Sequence, residues 1–128
     1  KLSAYATYID SIKNGVTTVF DHHASFGHIT GSLNAIEEAA KDLGIRTCLC
    51  YEISDRDGME KSRESVMENV NFIKHALADD SDMIAGMMGM HASFTISDET
   101  MELCNELKPE ASAITSMLQR ESMIFISV

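Results

Sequence analysis

The chain has 128 residues, 45% of them hydrophobic, which is enough for one domain with a sizeable core and too apolar for a disordered segment. Twenty acidic residues against ten basic ones give a formal net charge of −10, which opposes phosphate backbones and anionic membrane surfaces, so no nucleic-acid partner is expected. No apolar run approaches the roughly 18 residues of a membrane span and Lys1-Leu2-Ser3-Ala4 carries no signal-peptide core, so a soluble, cytoplasmic chain with no membrane partner is expected.

Lys1 is not an initiator methionine, and the first residues read as the middle of a helix, so the chain is expected to begin inside a longer protein. Leu2, Tyr5, Ile9 and Ile12 recur at helical spacing before the Asn14-Gly15 stop. Val16 to Phe20 is short, β-branched and mostly apolar, the profile of a strand buried on both faces, with Asp21-His22-His23 at its end. Ser32 is the expected N-cap of a helix carrying Leu33, Ile36, Ala40 and Leu43 and closed by Gly44. Ile45 to Ile53 reads as the next strand and Asp55 to Gly58 as a loop. Val66, Val70, Ile73 and Leu77 mark a long amphipathic helix ending at the acidic Asp79 to Asp82 turn. Met83 to Met90 reads as a third strand, and Ser97 caps a helix that directs Leu103 and Leu107 inward.

This alternation implies an α/β fold of parallel, right-handed βαβ units, either closing into a barrel or remaining an open doubly wound sheet. Periodicity does not choose between them. In both, ligands meet the C-terminal ends of the strands, where Asp21, His22, His23, Glu52 and His91 fall.

Two stretches carry a resemblance. Gly15-Val16-Thr17-Thr18-Val19-Phe20-Asp21 resembles the second-strand signature of the amidohydrolase superfamily, in the branch that holds guanine deaminase, cytosine deaminase-like enzymes and triazine chlorohydrolases. Met90-His91-Ala92-Ser93-Phe94-Thr95-Ile96-Ser97 resembles that branch's fourth-strand element, with Ser93 where proline is commoner. The doublet His22-His23 followed by Ala24-Ser25 is most similar to aminohydrolases linked to selenium metabolism. The likeness runs from about Tyr5 to Glu110.

The resemblance implies about half of a TIM (β/α)8 barrel, family strands two to four, over residues 1–110. It also implies a parent metal-dependent hydrolase, a deaminase or chlorohydrolase acting on a small amidine- or guanidine-like nitrogen heterocycle. The family binds zinc or iron through histidines after strands one, five and six and an aspartate after strand eight. None of these motifs stands in frame here, so no metal ligand and no catalytic residue are expected in this chain, which should be inactive alone. His91 matches a family histidine that holds substrate, and His22 and His23 are the other candidate substrate-binding residues.

The family continues into a strand-five His-x-His-Val-Ala-Glu motif where this chain reads Ala113-Ile114-Thr115-Ser116-Met117-Leu118-Gln119-Arg120. Codons chosen from the synonymous sets of these residues, re-read from the third base, translate as Tyr-His-Ile-His-Val-Ala-Glu. Residues 111–128 are therefore expected to be an out-of-frame tail replacing strand five, with a stop soon after the frame change.

Plainer readings compete with several of these. Adjacent strand residues point to opposite faces, so His22 and His23 do not both chelate one metal without a kink. Asp21 reads as an acceptor for backbone amides, and Glu52 as a solvated carboxylate near the mouth. Cys48, Cys50 and Cys104 read as reduced thiols, the first two on one strand face in the core. Met83, Met87, Met88 and Met90 read as packing, with Gly86 and Gly89 admitting a close helix. Half a barrel exposes sheet edges and an apolar face, so homo-oligomerisation or self-association is expected. The rival reading is a non-enzymatic α/β module that binds a small ligand or a protein at the strand ends.

Overall fold

The computed structural model describes residues 1–25, 27–119 and 122–126. Helix α1 (Leu2–Lys13) leads through Gly15, whose φ of 78° suits a residue without Cβ, into strand β1 (Thr18–His23). Helix α2 (Ser32–Leu43) ends at Gly44, also left-handed, and is followed by β2 (Arg46–Ile53). A 3₁₀ turn (Asp55–Asp57) opens the 19-residue α3 (Met59–Leu77). Short strands β3 (Ile84–Gly86) and β4 (Met88–Met90) follow, then a second 3₁₀ turn (Ser93–Thr95), α4 (Asp98–Leu107), β5 (Ile114–Gln119) and β6 (Ser122–Ile126).

The sheet runs β1-β2-β4-β5-β6, with β3 also on β2. Every pairing through β5 is parallel, and β5–β6 is an antiparallel hairpin. The expected parallel half-barrel is therefore present, and Met88↔Ile114 pairing puts the segment after Pro109 beside β4 as the next strand.

The helices cover one face. Leu33, Ile36, Leu49, Tyr51 and Phe72 form one buried cluster, and Ile53, Val66, Val70, Ile73, Met88 and Cys104 another. On the opposite, inward face a small group of Cys48, Cys50 and Met87 is buried. All three cysteines are free and buried.

Several local expectations change. The first strand continues through Asp21-His22-His23, so the doublet lies inside β1 and its rings take opposite faces. In α1 the buried residue is Tyr8, whose hydroxyl lies 2.9 Å from Thr47 Oγ1, while Leu2 is 87% exposed and Ile9 and Ile12 face outward. The Tyr5 hydroxyl donates to Asp42 and Tyr8 meets Thr47, so α1 turns its tyrosines inward. Leu77 is exposed at the end of α3.

Ser32 is not the N-cap of α2. Gly31 holds that position, and Ser32 is buried with its hydroxyl unpartnered among the described residues. The cap comes from α3: the Glu68 carboxylate accepts from Gly31 N at 2.9 Å and Leu33 N at 3.0 Å, a negative charge at the positive helix end. Ser97 does cap α4, accepting from Thr100 N at 3.3 Å.

The third strand is broken at Met87. β2 pairs with β3 up to Leu49 and with β4 from Glu52 in one continuous register, leaving Cys50 and Tyr51 between the two pairings. Asn69, fully buried on α3, fills the gap: its Oδ1 accepts from Tyr51 N at 2.8 Å and its Nδ2 donates to Tyr51 O at 2.9 Å. Gly86 admits α3 as expected, since a Cβ there would stand 3.0 Å from Ile73 Cα. Gly89 admits β2 instead: its Cβ would meet Tyr51 O at 2.6 Å and Cys50 Sγ at 2.9 Å.

Candidate substrate-facing site at the strand ends

Strand alternation sorts the candidates. His22 pairs in register with Cys50, and Glu52 with Gly89, placing His22, Glu52 and, one residue beyond β4, His91 on the inward face. His23 lies on the other face, its ring edge-on to Tyr51 with centroids 5.8 Å apart, beside Asp21 and Tyr8 in a separate cavity. The doublet is thus divided, and only His22 shares a face with His91.

The His22 side chain is 6% exposed, and both ring nitrogens lack a hydrogen-bond partner among the described residues. Glu52 Oε2 stands 3.9 Å from Nε2, beyond hydrogen-bond reach. Burial lowers the pKa of His22, against the pull of Glu52 and Asp21, and His91 adds to the depression. Glu52 is mostly buried rather than solvated, and Arg56 Nη2 donates to it at 3.0 Å. Burial raises the pKa of Asp21, opposed by the two neighbouring imidazoles. Among the described residues no amide donates to the Asp21 carboxylate, so its expected acceptor role is not what holds it.

His91 is clamped by its backbone. Its N–H donates to Ile53 O at 2.9 Å, and its carbonyl accepts from Ser116 Oγ at 3.1 Å. The ring contacts Thr95, with Nδ1 2.9 Å from Oγ1, and meets Phe94 edge-on at 6.5 Å. Thr95 sits four residues after His91 within the quoted motif, yet its partnership depends on the 3₁₀ turn, which no periodicity announces.

The loop that follows is moored to the β2–α3 connection by Asp55. This carboxylate accepts from Ser62 Oγ at 2.5 Å, Ser97 N at 2.5 Å and Thr100 Oγ1 at 2.7 Å. Burial alone would raise its pKa, but these donors hold it below the usual carboxylate range. Beside Glu52 and Arg56 a cavity of about 290 Å³, bordered also by Tyr51, Ser54 and Lys61, opens at the same end of the sheet.

Among the described residues no three His, Cys, Asp or Glu side chains converge to hold a metal ion. Burial pushes the Cys48 and Cys50 thiols up, Cys48 to about 11. The described residues alone do not make up a metal centre.

The amidohydrolase family model matches residues 6–118. The chain belongs to the amidohydrolase family. It is 27% identical over 123 residues to a 5-methylthioadenosine/S-adenosylhomocysteine deaminase of Thermococcus onnurineus, covering 96% of this chain and 27% of that protein. It is 31% identical over 105 residues to a 5'-deoxyadenosine deaminase of Methanococcus maripaludis, covering 80% of this chain and 22% of the relative. Among solved structures, the atrazine chlorohydrolase TrzN of Arthrobacter aurescens TC1, complexed with zinc, superposes with a TM-score of 0.65 at 22% identity, over 81% of this chain and 26% of that one. That likeness establishes the fold as part of an amidohydrolase barrel. The chain spans about a quarter of the length of each of these proteins. Among the described residues no helix is long and apolar enough to cross a membrane.

Proposed function

We propose that this chain is the substrate-facing wall of a metal-dependent hydrolytic deaminase whose other segments carry the metal. The observation that carries the reading is the buried, unpartnered imidazole of His22, on one face with Glu52 and His91 at the C-terminal end of the sheet. A buried polar ring without a partner costs stability, and a ligand that supplies the partner offsets that cost. His91, held by its neighbours, and His22 would contact the ligand, while His23 would act from the other face by packing on Tyr51. The substrate class is a cyclic amidine within a nitrogen heterocycle, and the deaminases named above support an adenine-type ring.

The test uses the whole protein, loaded with zinc or with iron. Ammonia should be released from 5'-deoxyadenosine or 5-methylthioadenosine, and His91→Gln and His22→Asn should raise KM with bound metal unchanged. Chloride release from atrazine without ammonia release from the nucleosides would favour the chlorohydrolase side of the family. Unchanged KM in both variants would remove these residues from the site.

Residues 111–128 remain, in this reading, a frame-shifted replacement for strand five. Five codon constraints at Thr115, Met117, Leu118, Gln119 and Arg120 support it. Coding DNA incompatible with the second frame would end the idea. The reading places the enzyme in the cytoplasm, in keeping with three unpaired buried thiols. It also has the isolated chain self-associating through its open sheet face and edge. A compact monomer at all concentrations in light scattering would refute that.

A further inference from the structure

We infer that Thr95 is a positioning residue that holds the neutral His91 ring in its Nδ1–H tautomer, leaving Nε2 as a hydrogen-bond acceptor. The Thr95 hydroxyl has one proton, and its oxygen stands 2.7 Å from Ala92 O and 2.9 Å from His91 Nδ1. Two oxygens 2.7 Å apart repel unless a proton lies between them, and a carbonyl has none to give, so the hydroxyl donates to Ala92. The contact to Nδ1 must then take its proton from the imidazole.

The surroundings leave little freedom to rearrange. Thr95 N–H also donates to Ala92 O at 2.9 Å, so the 3₁₀ turn fixes the position of the hydroxyl. The His91 backbone is pinned between Ile53 and Ser116, and Phe94 packs edge-on to the ring. The partner of one ring nitrogen decides the role of the other. Nε2 therefore offers a lone pair, which selects a ligand group bearing N–H or O–H: an exocyclic amine, a protonated ring nitrogen or a hydroxyl. That selection rests on the proposed substrate-facing role of His91. The tautomer does not.

The test is nitrogen-15 NMR of the 128-residue chain above the titration range of imidazole, with the His91 resonances assigned by their loss in His91→Gln. The expected spectrum has Nδ1 protonated and Nε2 bare. Thr95→Val should shift the tautomer ratio toward Nε2–H by about tenfold, the factor set by the net worth of one hydrogen bond, and Thr95→Ser should restore it. An Nε2–H ring in the unmodified chain overturns the inference, even if Thr95→Val does not fold. An unchanged ratio in a folded Thr95→Val chain does the same. An Nδ1–H ring together with an unchanged KM for His91→Gln in the whole protein would uphold the tautomer and defeat the substrate-facing role instead.

Discussion

The two faces of the sheet treat their polar groups differently. On the helix-covered face, Asn69, Glu68 and Thr47 are almost wholly buried, and each has partners: Asn69 completes the backbone of Tyr51, Glu68 caps α2, and Thr47 meets Tyr8. On the inward face, His22 is buried with neither ring nitrogen bonded among the described residues, next to Cys48, Cys50 and Met87. The difference separates scaffold from site. Apart from the Ser32 hydroxyl, buried without a partner among the described residues, these polar groups of the covered face take partners from the chain itself, whereas the inward face holds an imidazole whose cost is offset only by something further.

The comparison breaks first at Asn69. Asn69→Ala would leave the Tyr51 amide and carbonyl unpaired where β2 passes from β3 to β4. Each buried orphan costs about 1–3 kcal/mol, so a loss of about 3 kcal/mol is expected in urea unfolding. A loss under about 1 kcal/mol would mean that the covered face is no more rigidly satisfied than the inward one.

Gly89 tests the seam between the faces. A methyl at this position meets Tyr51 O at 2.6 Å, a backbone atom that cannot turn away, and Cys50 Sγ at 2.9 Å. Gly89→Ala should cost about 2 kcal/mol through overpacking. Gly86→Ala meets Ile73 Cγ1 and Phe72 Cδ1 at 3.0 and 3.1 Å, but also Ile73 Cα at 3.0 Å, and should cost somewhat less. Thermal unfolding of the pair gives the order, and a reversed order would show that α3 constrains the sheet more than β2 does.

Much of this was legible beforehand, and the reasons are local. Alternating apolar β-branched runs and helical stripes gave the parallel units, and Gly15, Gly44 and Ser97 ended or capped helices as their chemistry requires. Position at the strand ends put Glu52 and His91 near the mouth, although Glu52 read as solvated and is mostly buried. What sequence concealed was long-range. Glu68 caps a helix from 35 residues away, so Ser32 looked like the better cap. Strand β1 runs three residues past the expected end at Phe20, because the polar Asp21-His22-His23 looks like the close of a strand, while the alternation that separates the two histidines is legible from their adjacency. Asp55 joins three segments through side-chain and backbone donors that have no common period.

His22 should give the opposite sign to Asn69. His22→Leu removes a buried ring that has no hydrogen bond to lose, so at pH 7 stability should stay within about 1 kcal/mol, on the gaining side. Its folded pKa lies below the ordinary value of 6.5, so the unfolded chain takes the proton more readily. Stability of the unmodified chain therefore falls as pH drops through and below about 6.5, and His22→Leu should flatten that fall. Burial depresses His23 as well, against the attraction of Asp21, so part of the slope should remain. A slope unchanged by the substitution would mean that His22 is solvated in the folded chain, and the contrast between the faces would fail at its central residue.

The smallest effect belongs to Asp21, which carries a buried charge on the covered face and so departs from the rule just drawn. Its pKa is raised by burial, with His23 and His22 pulling the other way. A carboxyl whose folded pKa exceeds its unfolded value favours folding only while protonated, so its contribution declines as pH rises from about 3.8 through the folded value. At pH 7 the charged group is a liability that Asp21→Asn should relieve, by on the order of half a kcal/mol once solvent screening is counted. The gain should shrink as pH falls and vanish well below pH 3.8, where folded and unfolded carboxyls are both protonated. If Asn instead destabilises at pH 7, the attraction of Asp21 for the two imidazoles outweighs its desolvation. The histidine pair would then be held by this carboxylate from behind the sheet, which would make Asp21 part of the site and not an exception in the scaffold.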